Sequence, residues 1–241
     1  MFFMKKKKKS VRTYYAIHKS PIFRIVEAFK TLRTNILFSA PASDYKAKRF
    51  MFTSANPGDG KSTISVNSAI TFAQQTDIKV LLIDADLRKP TTHKYFGLPY
   101  KKGLSNYLAG QDTLEDCIQK VPDVENLYHM ASGVIPPNPA ELLAGKQMEV
   151  LFEKLDEMFD VIIVDTPPVN VVADALSICR FVDGVTIVAS DNKTGYTELQ
   201  DAVKQLKIAN AKILGIVLNR ARQSNYRSRQ RYSNYYRTNE E

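Results

Sequence analysis

At 241 residues with 44% hydrophobic side chains, the chain is long and apolar enough for one α/β domain with a sizeable core. Its formal net charge of +9 sits at the ends: residues 1–13 carry six Lys/Arg and no acid, and residues 220–241 carry six Arg and two Glu. The nearly neutral body between them argues against a nucleic-acid surface. Cys117 and Cys179 stand far apart, as expected of a reduced intracellular protein with incidental thiols. No apolar run approaches the roughly 20 residues of a membrane span.

The run Lys5–Lys9 is followed by polar and basic residues rather than an apolar segment, which excludes a secretion signal; behind Phe2 and Phe3 it suits either an anionic membrane surface or plain solvation. Residues 1–20 therefore form a basic N-terminal segment. From Pro21 to Ser39, Ile22, Val26, Phe29, Leu32 and Ile36 recur at helical spacing. A strand over Phe50–Thr53 leads into Ser54-Ala-Asn-Pro-Gly-Asp-Gly-Lys-Ser-Thr63, and a helix follows to Phe72. Strand, glycine-bearing loop, Lys-Ser and helix in that order make a P-loop, although Ala55 replaces its first glycine. The residues predicted to hold a nucleoside triphosphate are Gly58, Asp59, Gly60, Lys61, Ser62 and Thr63. The glycines admit the phosphates, Lys61 reaches the β/γ-phosphates, and the Ser62 hydroxyl suits Mg²⁺.

The next strand, Val80–Ile83, ends in Asp84 and Asp86, and a later one, Val161–Val164, ends in Asp165 in a Walker-B pattern. Carboxylates at strand ends beside a P-loop orient a metal directly or through its water, so Ser62, Asp84 and Asp165 are the metal candidates. Further strands are expected at Leu127–Met130, Val185–Ala189 and Ile213–Leu218, with helices over Gly145–Met158, Asp174–Arg180 and Gly195–Asn210. Apolar strands alternating with helices predict a P-loop NTPase of α/β class, a mostly parallel sheet with helices on both faces, over residues 21–220. His18, His93 and His129 are too scattered for a metal site. No N-K-x-D loop is present, which favours ATP over GTP, and Asn219 is positioned after a core strand to contact adenine.

Residues 221–241 are polar and basic, without apolar periodicity, and are predicted to be disordered. They carry Tyr226, Tyr232, Tyr235 and Tyr236 interleaved with Arg and Asn. Taken alone this fits a phosphoacceptor cluster as well as a non-specific nucleic-acid tail.

The P-loop, Leu82-Ile-Asp-Ala-Asp-Leu-Arg88 as a Walker A′ element, Pro137-Asn-Pro-Ala-Glu-Leu-Leu143, Asp160–Pro168 and the tyrosine-rich tail together resemble the bacterial tyrosine kinases of capsule and exopolysaccharide assembly. The resemblance implies an ATP- and Mg²⁺-dependent protein-tyrosine kinase with Lys61, Asp84, Asp86 and Asp165 as its catalytic set. Asp86 would orient the tyrosine hydroxyl; a carboxylate of pKa about 4 is a weak base for a phenol of about 10, so it positions first. The tail tyrosines would be autophosphorylation sites, which makes nucleic acid an unexpected partner.

The family's E-x-x-R-x-x-R ring-forming element is matched by Glu27, Lys30 and Arg33; lysine at the middle position lacks arginine's planar fork. A homo-oligomeric ring, a membrane-spanning modulator whose cytoplasmic tail activates the kinase, and a cognate tyrosine phosphatase are implied as partners. Such a kinase is cytoplasmic and recruited to the inner face of the membrane. The rival is a positioning ATPase of the partitioning or cell-division type. Those proteins carry a second lysine early in the P-loop, where this chain has Asn56.

Overall fold

The computed structural model describes residues 23–40, 42, 45–191 and 193–221. The basic N-terminal segment and the tail with Tyr226, Tyr232, Tyr235 and Tyr236 lie outside them. Helix α1 (Phe23–Ser39) precedes β1 (Lys48–Ser54), α2 (Lys61–Ala73) and β2 (Val80–Asp84). Three short helices follow, α3 (Thr92–Phe96), α4 (Leu104–Leu108) and α5 (Leu114–Cys117), then β3 (Ile118–Lys120) and β4 (Leu127–Met130). The chain continues through α6 (Pro139–Ala144), α7 (Lys146–Asp156), β5 (Val161–Asp165) and α8 (Asp174–Ile178). It closes with β6 (Gly184–Ser190), α9 (Tyr196–Ile208) and β7 (Ile213–Asn219).

The strands form one sheet in the order β3-β4-β2-β5-β1-β6-β7, parallel except for the antiparallel β3–β4 pair. A parallel sheet has both faces covered, which is why Val80–Asp84 and Val161–Asp165 are buried at every position. Side chains alternate between two apolar layers. Phe50, Phe52, Leu82 and Ile163 pack with α2 residues such as Ile64, Ile70 and Phe72, beneath Ile36 of α1. Met51, Leu81, Ile83 and Val164 pack on the opposite face with Leu151 and Phe152 of α7 and Leu206 of α9.

The predicted strands are all present. The sequence reading did not include β3, whose three residues are too few for a periodic signal, nor the short helices α3–α6. Arg49 also departs from the apolar strand pattern: it is buried within β1 and forms a two-pronged ion pair with Asp156 at 2.9 and 2.5 Å. Because β1, β2, β5, β6 and β7 run parallel, their carboxyl ends share one edge. Pairing of Asp84 with Asp165, and of Phe52 with Asp165, places both acidic strand ends beside the exit of β1.

Candidate active site

Between β1 and α2 the backbone takes left-handed conformations at Gly58 (φ 81°) and Gly60 (φ 98°), which any side chain would strain. Asp59 lies buried inside the turn and accepts from the Asn56 N–H at 3.0 Å, shaping the loop from within. Lys61 opens α2, so its side chain and the Ser62 hydroxyl project from the helix's first turn toward the sheet edge. The Thr63 hydroxyl turns away and lies 2.8 Å from the Tyr95 hydroxyl.

Ser62 Oγ donates to Asp165 Oδ2 at 2.6 Å, and Ser65 Oγ donates to Asp165 Oδ1 at 2.8 Å. Lys61 Nζ stands 3.0 Å from Asp86 Oδ2 and 3.4 Å from Asp165 Oδ2. Burial opposes the charge on Lys61, but Asp165, Asp86 and Asp84 outweigh it and hold the ammonium above the ordinary lysine range. Burial pushes the Asp165 carboxyl up, against the pull of Lys61. Asp84 is pushed up to about 7 by burial first and by Asp165 second. Three carboxylates therefore face one ammonium, an excess of negative charge that suits a divalent cation.

Asp84, the third metal candidate, is also engaged by the loop that follows β2. Its Oδ2 accepts from the Thr91 N–H (3.1 Å), the Thr92 N–H (3.0 Å) and the Thr92 hydroxyl (2.7 Å), and its Oδ1 accepts from the Asp86 N–H (3.2 Å). Both oxygens are committed to the loop that follows β2. Asp165 and Ser62 are better disposed, because a serine hydroxyl that donates its proton keeps lone pairs for a cation. Among the described residues no three Asp, Glu, His or Cys side chains converge as a ready-made cage. Mg²⁺ takes one or two carboxylates and draws its other oxygens from phosphate and water.

The loop bearing Asp86 is fixed from two further sides. Its Oδ1 accepts from the Lys89 N–H at 2.9 Å, and Arg88 forms a bidentate pair with the buried Asp174 at 2.9 and 3.1 Å. Asn219 lies against the P-loop, donating from Nδ2 to the Asp59 carbonyl at 2.9 Å. The sequence reading missed Ser65, Thr92 and the Arg88–Asp174 pair. Ser65 was findable, since it lies three residues beyond Ser62 on the same helix face; Thr92 and Asp174 carry no local signal.

The proposed ring element is arranged differently from a free charged stripe. Lys30 pairs with Glu27 within α1 at 2.9 Å, and Arg33 turns inward to donate to the Thr71 carbonyl of α2 at 2.6 Å. Two surface concavities lie away from the P-loop. One, of about 610 Å³, is lined by Tyr196, Val203 and Ile208 of α9 and Ile216 of β7. The other, of about 500 Å³, borders Val134–Asn138. Neither holds a comparable set of ionisable groups. No helix among the described residues is long and apolar enough to cross a membrane.

Residues 46–240 match the ParA family profile, described as NUBPL iron-transfer P-loop NTPase. The chain is 39% identical over 217 residues to the putative tyrosine-protein kinase CapB of Staphylococcus aureus, covering 90% of this chain and 93% of that one. It is 43% identical over 193 residues to the tyrosine-protein kinase YwqD of Bacillus subtilis (strain 168), covering 80% of each. The kinase domain of Escherichia coli tyrosine kinase ETK superposes with a TM-score of 0.78 at 35% identity, covering 87% of this chain and 82% of that one. The cell division ATPase MinD of Pyrococcus furiosus shares the fold less closely, with a TM-score of 0.62 at 27% identity over 74% of each chain.

Proposed function

The chain belongs to the bacterial tyrosine-protein kinases of capsule and exopolysaccharide systems, and on that premise we propose that it transfers the γ-phosphoryl group of ATP to tyrosines of its own C-terminal tail. The observation that carries this reading is Lys61, held between Asp86 and Asp165 at the mouth of the P-loop. Phosphoryl transfer passes through a loose transition state, so placing the reactants and neutralising charge supply most of the rate.

In this reading the backbone of Gly58, Asp59, Gly60, Lys61, Ser62 and Thr63 cradles the phosphates. Lys61 exchanges its carboxylate partners for β/γ-phosphate oxygens. Asp86, released from Lys61, accepts a hydrogen bond from the incoming tyrosine hydroxyl and aims its oxygen at the γ-phosphorus. The proton passes to Asp86 late, as the new P–O bond forms and the bond from the γ-phosphorus to the β-phosphate oxygen breaks, releasing ADP. Ser62 and Asp165 would hold Mg²⁺, which would supply screening of the phosphate charge. Asp84 acts through its charge and by anchoring the loop that carries Asp86. Asn219 supports the P-loop rather than reading the base.

The acceptors are Tyr226, Tyr232, Tyr235 and Tyr236, offered by the tail that follows a domain spanning residues 21–220. Each phosphate adds roughly −1.5 to −2 charge, enough to reverse the sign of the basic tail. The wider system has a membrane-spanning modulator with an activating cytoplasmic tail, which brings this cytoplasmic kinase to the inner face of the membrane. A homo-oligomer in which tails reach neighbouring sites, and a tyrosine phosphatase that resets them, complete it. Glu27 and Lys30 offer exposed charge to such an assembly, whereas Arg33 serves the contact between α1 and α2.

The test is incubation of the full chain with ATP and Mg²⁺, with and without a modulator segment, followed by residue-resolved phosphate mapping. Phosphate on the four tail tyrosines in the wild type, and none in Lys61→Met, is the expected result. ATP hydrolysis without phosphotyrosine, even with the modulator present, would overturn the kinase reading in favour of a positioning ATPase.

A further inference from the structure

Three successive P-loop carbonyls are held from outside the loop. Lys193 Nζ donates to the Pro57 carbonyl at 2.6 Å, Arg220 Nη1 to the Gly58 carbonyl at 3.2 Å, and Asn219 Nδ2 to the Asp59 carbonyl at 2.9 Å. The donors come from two places brought together by the sheet. Lys193 lies in the turn after β6, while Asn219 ends β7, its parallel neighbour, and Arg220 follows it. We propose that Lys193, Asn219 and Arg220 are positioning residues for the nucleotide, a clasp that aims the P-loop's N–H groups at the phosphates. This rests on the nucleotide-binding reading of the loop.

The reason lies in peptide geometry. A trans peptide is planar, with its C=O and N–H pointing opposite ways, and the described chain has no cis bond. Pinning the carbonyls of Pro57, Gly58 and Asp59 therefore sets the direction of the N–H groups of Gly58, Asp59 and Gly60. The N–H groups of Gly58 and Gly60 have no acceptor among the described residues, while that of Asp59 faces the Asn56 carbonyl across the turn at Pro57–Gly58. Glycine at two of the three positions gives the loop little stiffness of its own, so an external restraint has much to decide. Two of the three donors are cations, which polarise the peptides they touch and strengthen the N–H groups on the far side.

The clasp is itself ordered. Asn219 Oδ1 accepts from the Arg220 N–H at 2.9 Å, which leaves Nδ2 as the edge turned to the loop. Arg220 adopts φ 58°, a left-handed conformation uncommon for a residue with a side chain, and it carries the guanidinium to Gly58. A Cβ on Gly60 would overlap the Asn219 amide, and one on Gly58 would stand 2.6 Å from Lys193 Nζ. The clasp and the glycines thus depend on one another.

Lys193 and Arg220 are exposed, so their replacement leaves the core intact. The test measures ATP affinity by titration calorimetry with Mg²⁺, and the thermal midpoint without nucleotide, for the full chain. Compared are the wild type, Lys193→Met, Lys193→Met/Arg220→Gln, and the conservative Lys193→Arg/Arg220→Lys. The expected result is a loss of about tenfold or more in ATP affinity for the double variant and a smaller loss for the single one. Recovery by the conservative pair and an unchanged thermal midpoint are expected alongside. Unchanged affinity in the double variant overturns the clasp, as does a loss that tracks a falling midpoint or is not rescued. A wild type that fails to bind ATP instead defeats the nucleotide reading itself.

Discussion

The Ser62 hydroxyl donates to Asp165 at 2.6 Å, tying the first turn of α2 to the carboxyl end of β5. That bond places the P-loop serine and the Walker-B aspartate, 103 residues apart in the chain, close enough to share one cation. Around it Lys61 reaches both Asp86 and Asp165, and the charge of Asp84 acts on the same ammonium.

Replacing Lys61 by Met should lower tyrosine phosphorylation by at least about a thousandfold, the scale of losing a preorganised charge at a phosphoryl-transfer site. Lys61→Arg should recover only part of it, because a planar fork does not substitute for a compact ammonium. Initial-rate assays on both variants check this; Lys61→Met with wild-type turnover would refute the role given to Lys61.

Two buried groups should oppose each other in the pH dependence of stability. Asp84 is pushed up to about 7 from 3.8, so between about 4 and 7 the folded state binds more protons than the unfolded one, and this group makes stability fall as pH rises. His129 is fully buried and lowered to about 3 from 6.5, chiefly by burial. The folded state then binds fewer protons between about 3 and 6.5, so this group makes stability fall as pH drops. Asp84→Asn should steepen the acid loss, and His129→Asn should flatten or reverse it. Chemical unfolding at pH 4.5, 5.5 and 6.5 reads both slopes; parallel curves for the wild type and both variants would contradict these assignments.

Arg88→Ala should destabilise the fold by about 2 kcal/mol, because the fully buried Asp174 loses its bidentate partner. The loop bearing Asp86 should loosen with it. Turnover is then expected to fall more than ATP affinity, since the P-loop itself is untouched. Urea unfolding and steady-state kinetics test the two parts separately.

Arg33→Ala should destabilise the chain by about 1 kcal/mol through the lost hydrogen bond to the Thr71 carbonyl. Lys30→Ala, which removes only an exposed pair within α1, should leave stability within about 0.5 kcal/mol. Urea unfolding compares them, and equal losses would argue against the inward role of Arg33.

Much of this protein was determined by local sequence. Strand, glycine-bearing loop, Lys-Ser and helix fix the phosphate site, because φ-positive glycines and a helix N-terminus are consecutive in the chain. The runs Val80–Asp84 and Val161–Asp165 announce buried parallel strands, since only a sheet covered on both faces buries every residue. The same runs place their terminal carboxylates at the ligand edge.

Tertiary structure decided what those carboxylates touch. Asp84 and Asp165 look alike at their strand ends. Yet the turn through Thr91 and Thr92 closes over both oxygens of Asp84, while α2 presents Ser62 and Ser65 to Asp165. Likewise Arg33, matched in the sequence to a ring-forming element, folds inward because Thr71 lies across from it. Lys193 and Arg220 carry no motif, and they meet the P-loop only because β6 is laid beside β1 and β7 beside β6 by crossover connections. Periodicity reports which face of an element is buried; which side chains meet across 100 or more residues is set by the packing of elements that no local pattern encodes.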